Sequence, residues 1–414
     1  MHTAQSPQGW LASRALEPRW SPLASGLVNL VIILLATWGC WWLFFSTKGV
    51  CQLYTPLLGF SLVIWLLLIT VWQTEIFDFW PFSRGFLGQA NPLVKGGALT
   101  AVMLGVYAVF ILGLFFYLIG QYGITYFNWH SLTAHGKLGT DVLTARETAS
   151  WAYIALSVPF FWFSVVVALG LGRDLWPGLS QPRLGLANWL FVAVLSLPAF
   201  FLLFHPHIGS MFYPAQVYTA VPPWWKDLAQ TNSSEFSLGI VFDSVIMIFL
   251  TMHLWRGRPW NLVSRQPWRL IFLAAGSLVL GIILFKVQLA VMDYLWDEAY
   301  IGGQNESNFG WRYSHTVTMG AFLVVPAMVL NQHFGALLAR LGTLAAGLLG
   351  SVLAVGLGLG FAWLYYEFGP ALLGVCEGVS HPSENAAAFL IMIMVLLNIQ
   401  DSFMDGWPGY RLRK

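Results

Sequence analysis

Ten long apolar runs, separated by short polar segments, dominate this sequence of 414 residues. A helix needs about 20 apolar residues to cross a bilayer, and each run has roughly that length. The linkers leave no room for a separate soluble domain. The predicted fold is therefore all-α, a polytopic transmembrane bundle of about ten helices over residues 27–403, between an N-terminal tail (1–26) and a basic C-terminal tail (404–414). The predicted spans are roughly 27–46, 55–73, 97–119, 148–172, 185–204, 236–255, 269–291, 314–331, 341–364 and 385–403.

Composition supports lipid as the solvent of this chain. Charged residues make up 9% of the sequence and hydrophobic residues 57%. A soluble protein carries about 25% charged residues, so membrane lipids are the first partners we expect. The net charge of +2 comes without a clustered basic face, which excludes nucleic-acid binding.

The distribution of Lys and Arg predicts the orientation. With the N-terminus inside, fourteen of the 20 Lys and Arg residues fall in inner segments and five in outer segments, while Lys286 lies within a span. Cytoplasmic loops carry such an excess of Lys and Arg. An even number of spans then returns the C-terminus to the cytoplasm. The short loops and this bias are typical of a bacterial inner membrane protein.

A four-residue pattern, Asp-x-Trp-Pro, recurs on the inner side after even-numbered spans. It occurs at 78–81, 174–177 and 405–408, with a scrambled relative at 258–260. Proline ends a helix and tryptophan anchors that end in the membrane interface. Because the copies lie at equivalent places, they indicate repeated helical hairpins of one orientation, as in a parallel duplication. The alternative is that any inner-face loop favours Trp, Pro and Arg.

Two spans carry small residues at steps of four, which predicts close helix packing. One ladder is Ala346, Gly350, Ala354 and Gly358, and the other is Gly97, Ala101, Gly105 and, further along, Gly113. A substrate path along these faces is the alternative interpretation.

Ionisable side chains inside a membrane are costly and are therefore candidates for function. Asp243 lies in the sixth predicted span and Lys286 in the seventh, at similar depth. We predict a polar substrate or proton site formed by these two residues with Gln288 and Asp293. The alternative is that Lys286 snorkels outward and Asp243 only hydrogen-bonds within the bundle.

A polar aromatic cluster opens the eighth span. Arg312 and His315 are three residues apart, on one helix face, beside Trp311 and Tyr313. An anionic headgroup, substrate or quinone would fit such a cluster, and we expect Arg312 and His315 to flank the outer entrance. Simple anchoring in the interface is the alternative.

Several histidines are predicted to lie on the outer side. His205 and His207 would place both rings on one side if the segment were extended. With His130 or His135 they form a candidate metal site, and nearby Met211 would favour copper. The spacing matches no strong metal motif, and hydrogen bonding at the interface is the alternative.

Three cysteines make no disulfide framework, although Cys51 and Cys376 both fall outside and would be able to bridge. No nucleotide-binding loop, nucleophile elbow or zinc-protease motif is found in the sequence. No cofactor is identified.

Three functions remain open at this point. The leading hypothesis is a permease that moves a small-molecule substrate through the bundle. The second is a membrane enzyme or redox subunit with a metal, quinone or lipid site at the outer face. The third is a scaffold subunit that binds partners in a membrane complex.

Overall fold

The computed structural model describes most of the chain. The described residues are 16–53, 56–81, 90–120, 127, 141–172, 174–212, 222–231, 233–295, 310–373 and 382–412.

Within this described part, ten helices are long and apolar enough to cross a membrane. We number them spans 1 to 10. Their ends lie within about five residues of the predicted ones, so the predicted all-α bundle is confirmed. The spans are Pro22–Phe45, Leu57–Ile76, Pro92–Ile119, Ala149–Leu171, Arg183–Leu203, Ser234–Trp255, Trp268–Tyr294, Tyr313–Gln332, Thr343–Gly369 and Ala386–Phe403.

Some helices extend beyond their spans, and short elements connect them. The helices that contain spans 4, 8 and 9 are Asp141–Val166 with a π-helical end, Gly310–Gln332 and Thr343–Leu373. The additional helices are His205–Phe212, Pro223–Thr231, Gly335–Leu338 and the single 3₁₀ turn Trp260–Leu262. Two strands, Leu16–Pro18 and Tyr410–Leu412, complete the described elements.

Local sequence explains where spans 1 and 3 begin. Each starts with a proline, Pro22 or Pro92, whose missing N–H would have no partner in the first helical turn. The preceding Ser21 accepts a hydrogen bond from the N–H of Ala24, and Asn91 caps its helix in the same way.

The first and last described segments of the chain meet at one face of the bundle. The strand Leu16–Pro18 pairs antiparallel with Tyr410–Leu412. Fully buried Asn29 stabilises this junction, since its amide donates to the carbonyl of Gly406 and accepts from the N–H of Gly409, both at 2.9 Å. Because both strands lie on the same side of the bundle, the chain between them must cross the membrane an even number of times. We call this side the terminal face, which the charge pattern predicts to be cytoplasmic, and the opposite side the distal face.

The spans form two concentric rings. In the apolar windows of the even-numbered spans 72–89% of residues are buried, against 22–28% in the odd-numbered spans. The even-numbered spans contact one another in the order 2, 4, 6, 8 and 10, and span 10 contacts span 2 again, which closes an inner ring. The odd-numbered spans lie outside and expose many large apolar side chains. The chain is therefore an integral membrane protein whose outer ring contacts lipid.

One contact between the rings is repeated around the bundle. Near the start of an odd-numbered span, a glycine contacts a residue at the end of an even-numbered span. That even-numbered span has a number lower by three, and the numbering continues from span 1 back to span 10. A Cβ atom on that glycine would lie only 2.3–2.7 Å from the facing side chain, so the packing requires glycine. The pairs are Gly26 with Phe334, Gly96 with Met404, Gly185 with Phe77, and Gly347 with Trp255.

Spans 5 and 7 share a further contact of this kind. The amide of Gln181 donates to the carbonyl of Ile76 at 2.9 Å, and the amide of Gln266 donates to the carbonyl of Gly170 at 2.6 Å. Each glutamine precedes an odd-numbered span and binds the end of the even-numbered span three positions earlier. The predicted repeat of hairpins is therefore a structural repeat, with one outer and one inner helix in each unit.

The turns after spans 2, 6 and 10 have the same geometry. Each has a hydrogen bond from a backbone N–H to the carbonyl six residues earlier, two consecutive residues with positive φ, and then a cis X–Pro bond. These turns cover 78–81, 256–259 and 405–408. The Asp-x-Trp-Pro copy at 174–177 follows a different turn, in which Gly172 has φ +56° and ψ −114°. The scrambled relative is thus a closer structural match than one of the three sequence copies.

The two small-residue ladders have different roles. In span 9, a Cβ atom on Gly358 would lie 2.6 Å from the carbonyl oxygen of Phe322, and Ala346 and Ala354 are buried, so this ladder packs against its neighbours as predicted. The ladder in span 3 is exposed, and Gly97 and Gly105 have no atom within 4 Å of a Cβ position. The packing prediction is wrong for that ladder because span 3 turns this face to lipid.

Candidate functional site

Asp243 is fully buried where spans 6, 7 and 8 meet. Glycines bring the three helices together at this level. A Cβ atom on Gly281 of span 7 would lie 2.6 Å from the backbone nitrogen of Ser244, and one on Gly239 of span 6 would lie 2.9 Å from the carbonyl oxygen of Tyr313. Such close approach excludes solvent, so the polar side chains here must satisfy one another.

Gln288 of span 7 is the main partner of Asp243. With its amide oriented to satisfy both neighbours, the nitrogen donates to Oδ2 of Asp243 at 2.9 Å and to the carbonyl of Thr316 at 3.1 Å. The amide oxygen accepts from the N–H of Gly320 at 3.2 Å. Thr316 and Gly320 are four residues apart in span 8, so one amide contacts both members of an i→i+4 backbone pair.

Thr316 adds a hydroxyl to the same group. Its side chain hydrogen-bonds with the carboxyl of Asp243 and also donates to the carbonyl of Tyr313 at 2.8 Å. The site therefore holds one carboxyl, one amide and one hydroxyl, each from a different span.

Lys286 and Asp293 lie outside this group. Both are exposed, whereas Gln288 is buried at 4% exposure. Side chains two positions apart on a helix point about 200° away from each other. Gln288 faces span 6, so Lys286 faces away from it. The structure thus joins Asp243 with Gln288 and separates Asp243 from Lys286. No ion pair of Asp243 is found within the described part of the chain.

His315 is next to Thr316 and is buried at 8% exposure, so it lies inside the bundle rather than at an open entrance. Arg312 belongs to the same helix, and its side chain is outside the described part. Tyr313 packs against Phe236 and Phe285 with ring centroids 5.4 and 5.7 Å apart.

The position of Asp243 does not carry a carboxyl in every inner helix. The shared turn makes Thr251 of span 6 equivalent to Gln73 of span 2, and Asp243 and Trp65 each lie eight residues before them. The indole of Trp65 donates to the carbonyl of Tyr153 in the next inner helix at 3.0 Å. In span 2 an aromatic side chain therefore fills the place that Asp243 fills in span 6.

The predicted metal site is not supported by the local structure. His205 and His207 belong to the helix His205–Phe212, where side chains two residues apart diverge, so the assumption of an extended segment is wrong. Nδ1 of His207 accepts from the N–H of Ser234 at 3.2 Å, and Glu235 is 3.5 Å away. Burial lowers the pKa of His205.

Metal-binding groups and the cysteines can be placed for the described residues only. His130, His135 and Cys376 lie outside them. Within them, no group of three His, Cys, Asp or Glu side chains could hold a metal ion, and Cys51 is free and exposed.

Two cavities in the described part lie away from Asp243. One, of about 340 Å³, is at the surface of span 7 beside Trp268, and the other, of about 130 Å³, lies between spans 6, 8 and 9 beside Ser351. Neither is lined by Asp243, Gln288 or Thr316. These three side chains are at most 4% exposed, so the polar group is enclosed by protein.

Sequence analysis identified Asp243 and Gln288 but missed Thr316. A threonine four residues before Gly320 resembles ordinary small-residue packing, and only the helix arrangement shows that Gln288 reaches it. Comparison of the chain with protein-family models, with curated proteins and with the solved structures finds no match.

Proposed function

We propose that the protein is a permease that moves a small solute across the membrane, and that Asp243 binds a proton in its transport cycle. The observation that carries this proposal is a fully buried carboxyl that has no cation partner among the described residues. Such a group is expensive to place inside a membrane and is a candidate for ion or proton handling. An indole occupies the equivalent place in span 2, so a carboxyl at this level is not a feature that the inner helices share.

The hydrogen bonds around Asp243 support a role in proton binding. Thr316 has one hydroxyl hydrogen, which it donates to the carbonyl of Tyr313 at 2.8 Å. A proton on the Asp243 carboxyl completes the contact between that hydroxyl and Asp243. When the proton leaves, the amide of Gln288 still donates to Oδ2 at 2.9 Å, and the hydroxyl of Thr316 is able to rotate towards the carboxylate.

The position of the site supports coupling to movement. Asp243, Gln288 and Thr316 connect two helices of the inner ring with one helix of the outer ring. A change in the charge of Asp243 alters the hydrogen bonds among all three helices. Because the site is enclosed, spans 6, 7 and 8 must separate for a solute to reach it.

The test uses purified protein in liposomes, with currents recorded on a solid-supported membrane. Amino acids, sugars, organic acids and amines are added as separate classes, with and without a proton gradient. The wild type should respond to one class with a current that depends on the gradient. Asp243→Asn should abolish this current, whereas Lys286→Met is the control that should retain it, since Lys286 faces away from the site.

Two results would contradict the proposal. If no class of solute produces a current with the wild type, the permease function is wrong. If Asp243→Asn keeps the full dependence on the proton gradient, then the carboxyl is not the proton-binding group.

A further inference from the structure

A second polar layer lies at the terminal end of the inner ring, separate from Asp243. The residues that contact the outer-ring glycines, namely Phe77, Trp255, Phe334 and Met404, face outward from the ring. A residue two positions earlier lies on roughly the opposite side of the helix end, about 200° away in an α-helix and somewhat less in the π-helical ends of spans 2 and 10, and therefore faces the ring axis. The four residues so placed are Glu75, His253, Gln332 and Ser402.

Contacts of span 8 support this placement independently. The amide of Asn331 is 3.0 Å from Nδ1 of His253 in span 6, and Nε2 of His333 is 3.0 Å from Oε1 of Gln400 in span 10. Gln332 lies between these two residues along the helix, so its side chain is directed between spans 6 and 10. With Phe334 facing the outer ring, this direction is the axis of the inner ring.

Two amides in this region have no hydrogen-bond partner among the described residues. Gln332 is 7% exposed and Asn398, one helical turn from Ser402, is fully buried, and in both side chains the oxygen and the nitrogen lack a hydrogen bond. Buried amides are almost always hydrogen-bonded, and an unpaired one is costly. Two such amides at the end of one ring indicate a bound ligand, and their two oxygens are available to coordinate a cation.

The layer is closed towards the distal side. Asn398 lies six residues before Met404. The residues six positions before Phe77, Trp255 and Phe334 in spans 2, 6 and 8 are Val71, Phe249 and Met328. All three are apolar and at most 5% exposed. A hydrophilic ligand would therefore reach the layer from the terminal face.

The charge of the inner ring favours a cation. The five even-numbered spans contain four acidic residues, and none of them contains a Lys or Arg. Two of the acids, Glu75 and Asp401, lie near this layer. The side-chain atoms available to coordinate a metal ion are mainly oxygens, which hard cations prefer as ligands. Of the two acids, only Glu75 is at an axial position, because Asp401 is adjacent to Ser402 and acts on Tyr410 of the C-terminal strand. One carboxylate with neutral amide and hydroxyl oxygens provides little negative charge, which suits a monovalent ion better than a divalent one.

We propose that this axial layer binds an alkali-metal cation through the side-chain oxygens of Glu75, Gln332, Asn398 and Ser402. The cation site is distinct from Asp243 and does not require that the protein transports a solute. The cation would bind at the terminal end of the inner ring.

The test is a thermal unfolding series on purified protein, followed by tryptophan fluorescence. Samples contain the chloride of sodium, potassium or N-methylglucamine at equal ionic strength. A cation that binds the folded state should raise the Tm of the wild type by about 2–4 °C over N-methylglucamine. The larger of the sodium and potassium shifts identifies the preferred ion.

Variants separate this site from the proposed proton site. Gln332→Leu and Asn398→Leu remove the amides without leaving a buried polar group, so each should fold and lose the cation-dependent shift. Asp243→Asn should retain the shift, because Asp243 lies at another junction of the bundle. Radioactive sodium binding to the wild type, with potassium as competitor, gives a measurement that needs no variant.

The proposal is overturned if the wild type melts at the same temperature in all three salts and binds no sodium. In that case trapped water satisfies the amides. It is also overturned if Gln332→Leu and Asn398→Leu both keep the full shift. A failed transport assay with a preserved cation shift would reject the permease function and leave the cation site standing.

Discussion

Replacing Gly281 by alanine should separate spans 6 and 7 and weaken the bundle. The new Cβ atom would lie 2.3 Å from Oγ of Ser244, 2.6 Å from its backbone nitrogen and 2.8 Å from its Cα atom. Ordinary contacts of a Cβ atom begin at about 3.4 Å. Because two of the three close atoms are backbone, no rotamer change relieves the clash, and the helices must move apart by roughly 1 Å.

The expected cost follows from two opposing effects. Overpacking of a well-packed core costs about 1–3 kcal/mol, whereas alanine is favoured over glycine in a helix by about 1 kcal/mol. The matched control is Gly356→Ala in span 9, where nothing lies within 4 Å of the Cβ position. Gly356→Ala keeps only the favourable effect, so Gly281→Ala should be less stable than this control by about 2 kcal/mol.

The assay is equilibrium unfolding in a graded detergent mixture, with the fluorescence of the 22 tryptophans as the signal. Adding Ser244→Gly to Gly281→Ala should restore little stability, because the clash with the backbone remains. Equal unfolding of Gly281→Ala and Gly356→Ala would refute the close approach of spans 6 and 7. Full rescue by Ser244→Gly would show that only the serine hydroxyl limits the packing.

Two further predictions concern pH and orientation. Burial lowers the pKa of His333 to about 4, and its hydrogen bond with Gln400 opposes this effect. Below about pH 6.5 the unfolded chain therefore binds a proton at this histidine that the folded state does not bind. The free energy of unfolding should fall by up to about 3 kcal/mol as the pH drops from 6.5 to 4. His333→Gln should make this part of the pH profile of Tm shallower, and an unchanged profile would contradict a neutral buried imidazole. Cys51 is exposed at the distal face, so in a Cys376→Ser background an impermeant maleimide should label it on intact cells; labelling only after lysis would reverse the predicted orientation.

The sequence predicted the helices because the signal for a membrane span is local. Every predicted span is present, including 314–331, which corresponds to the least hydropathic of the ten. The repeat was also visible, since proline and tryptophan at the ends of spans act through their own chemistry. The pattern nevertheless misled at 174–177, because the path of a turn depends on the helices that pack against it.

The candidate site was predicted only in part, for a similar reason. Asp243 and Gln288 were found because polar residues stand out in apolar helices. Lys286 was predicted as the partner of Asp243 in place of Thr316. Opposite charges suggested an ion pair, and the sequence does not show which face each helix turns towards its neighbours. The face of span 7 that turns inward is set by Gly281, whose close contact lies in another helix.

The sequence by itself determined that the chain is a membrane bundle of hairpins, because length, apolarity and helix-ending residues act within each segment. Tertiary structure alone decided that the second helix of each hairpin is buried in an inner ring and the first faces lipid. In a membrane both environments are apolar, so hydropathy barely distinguishes them. The distinction comes from packing, through glycines such as Gly96 and Gly185 that let an inner-ring side chain approach the outer helix closely.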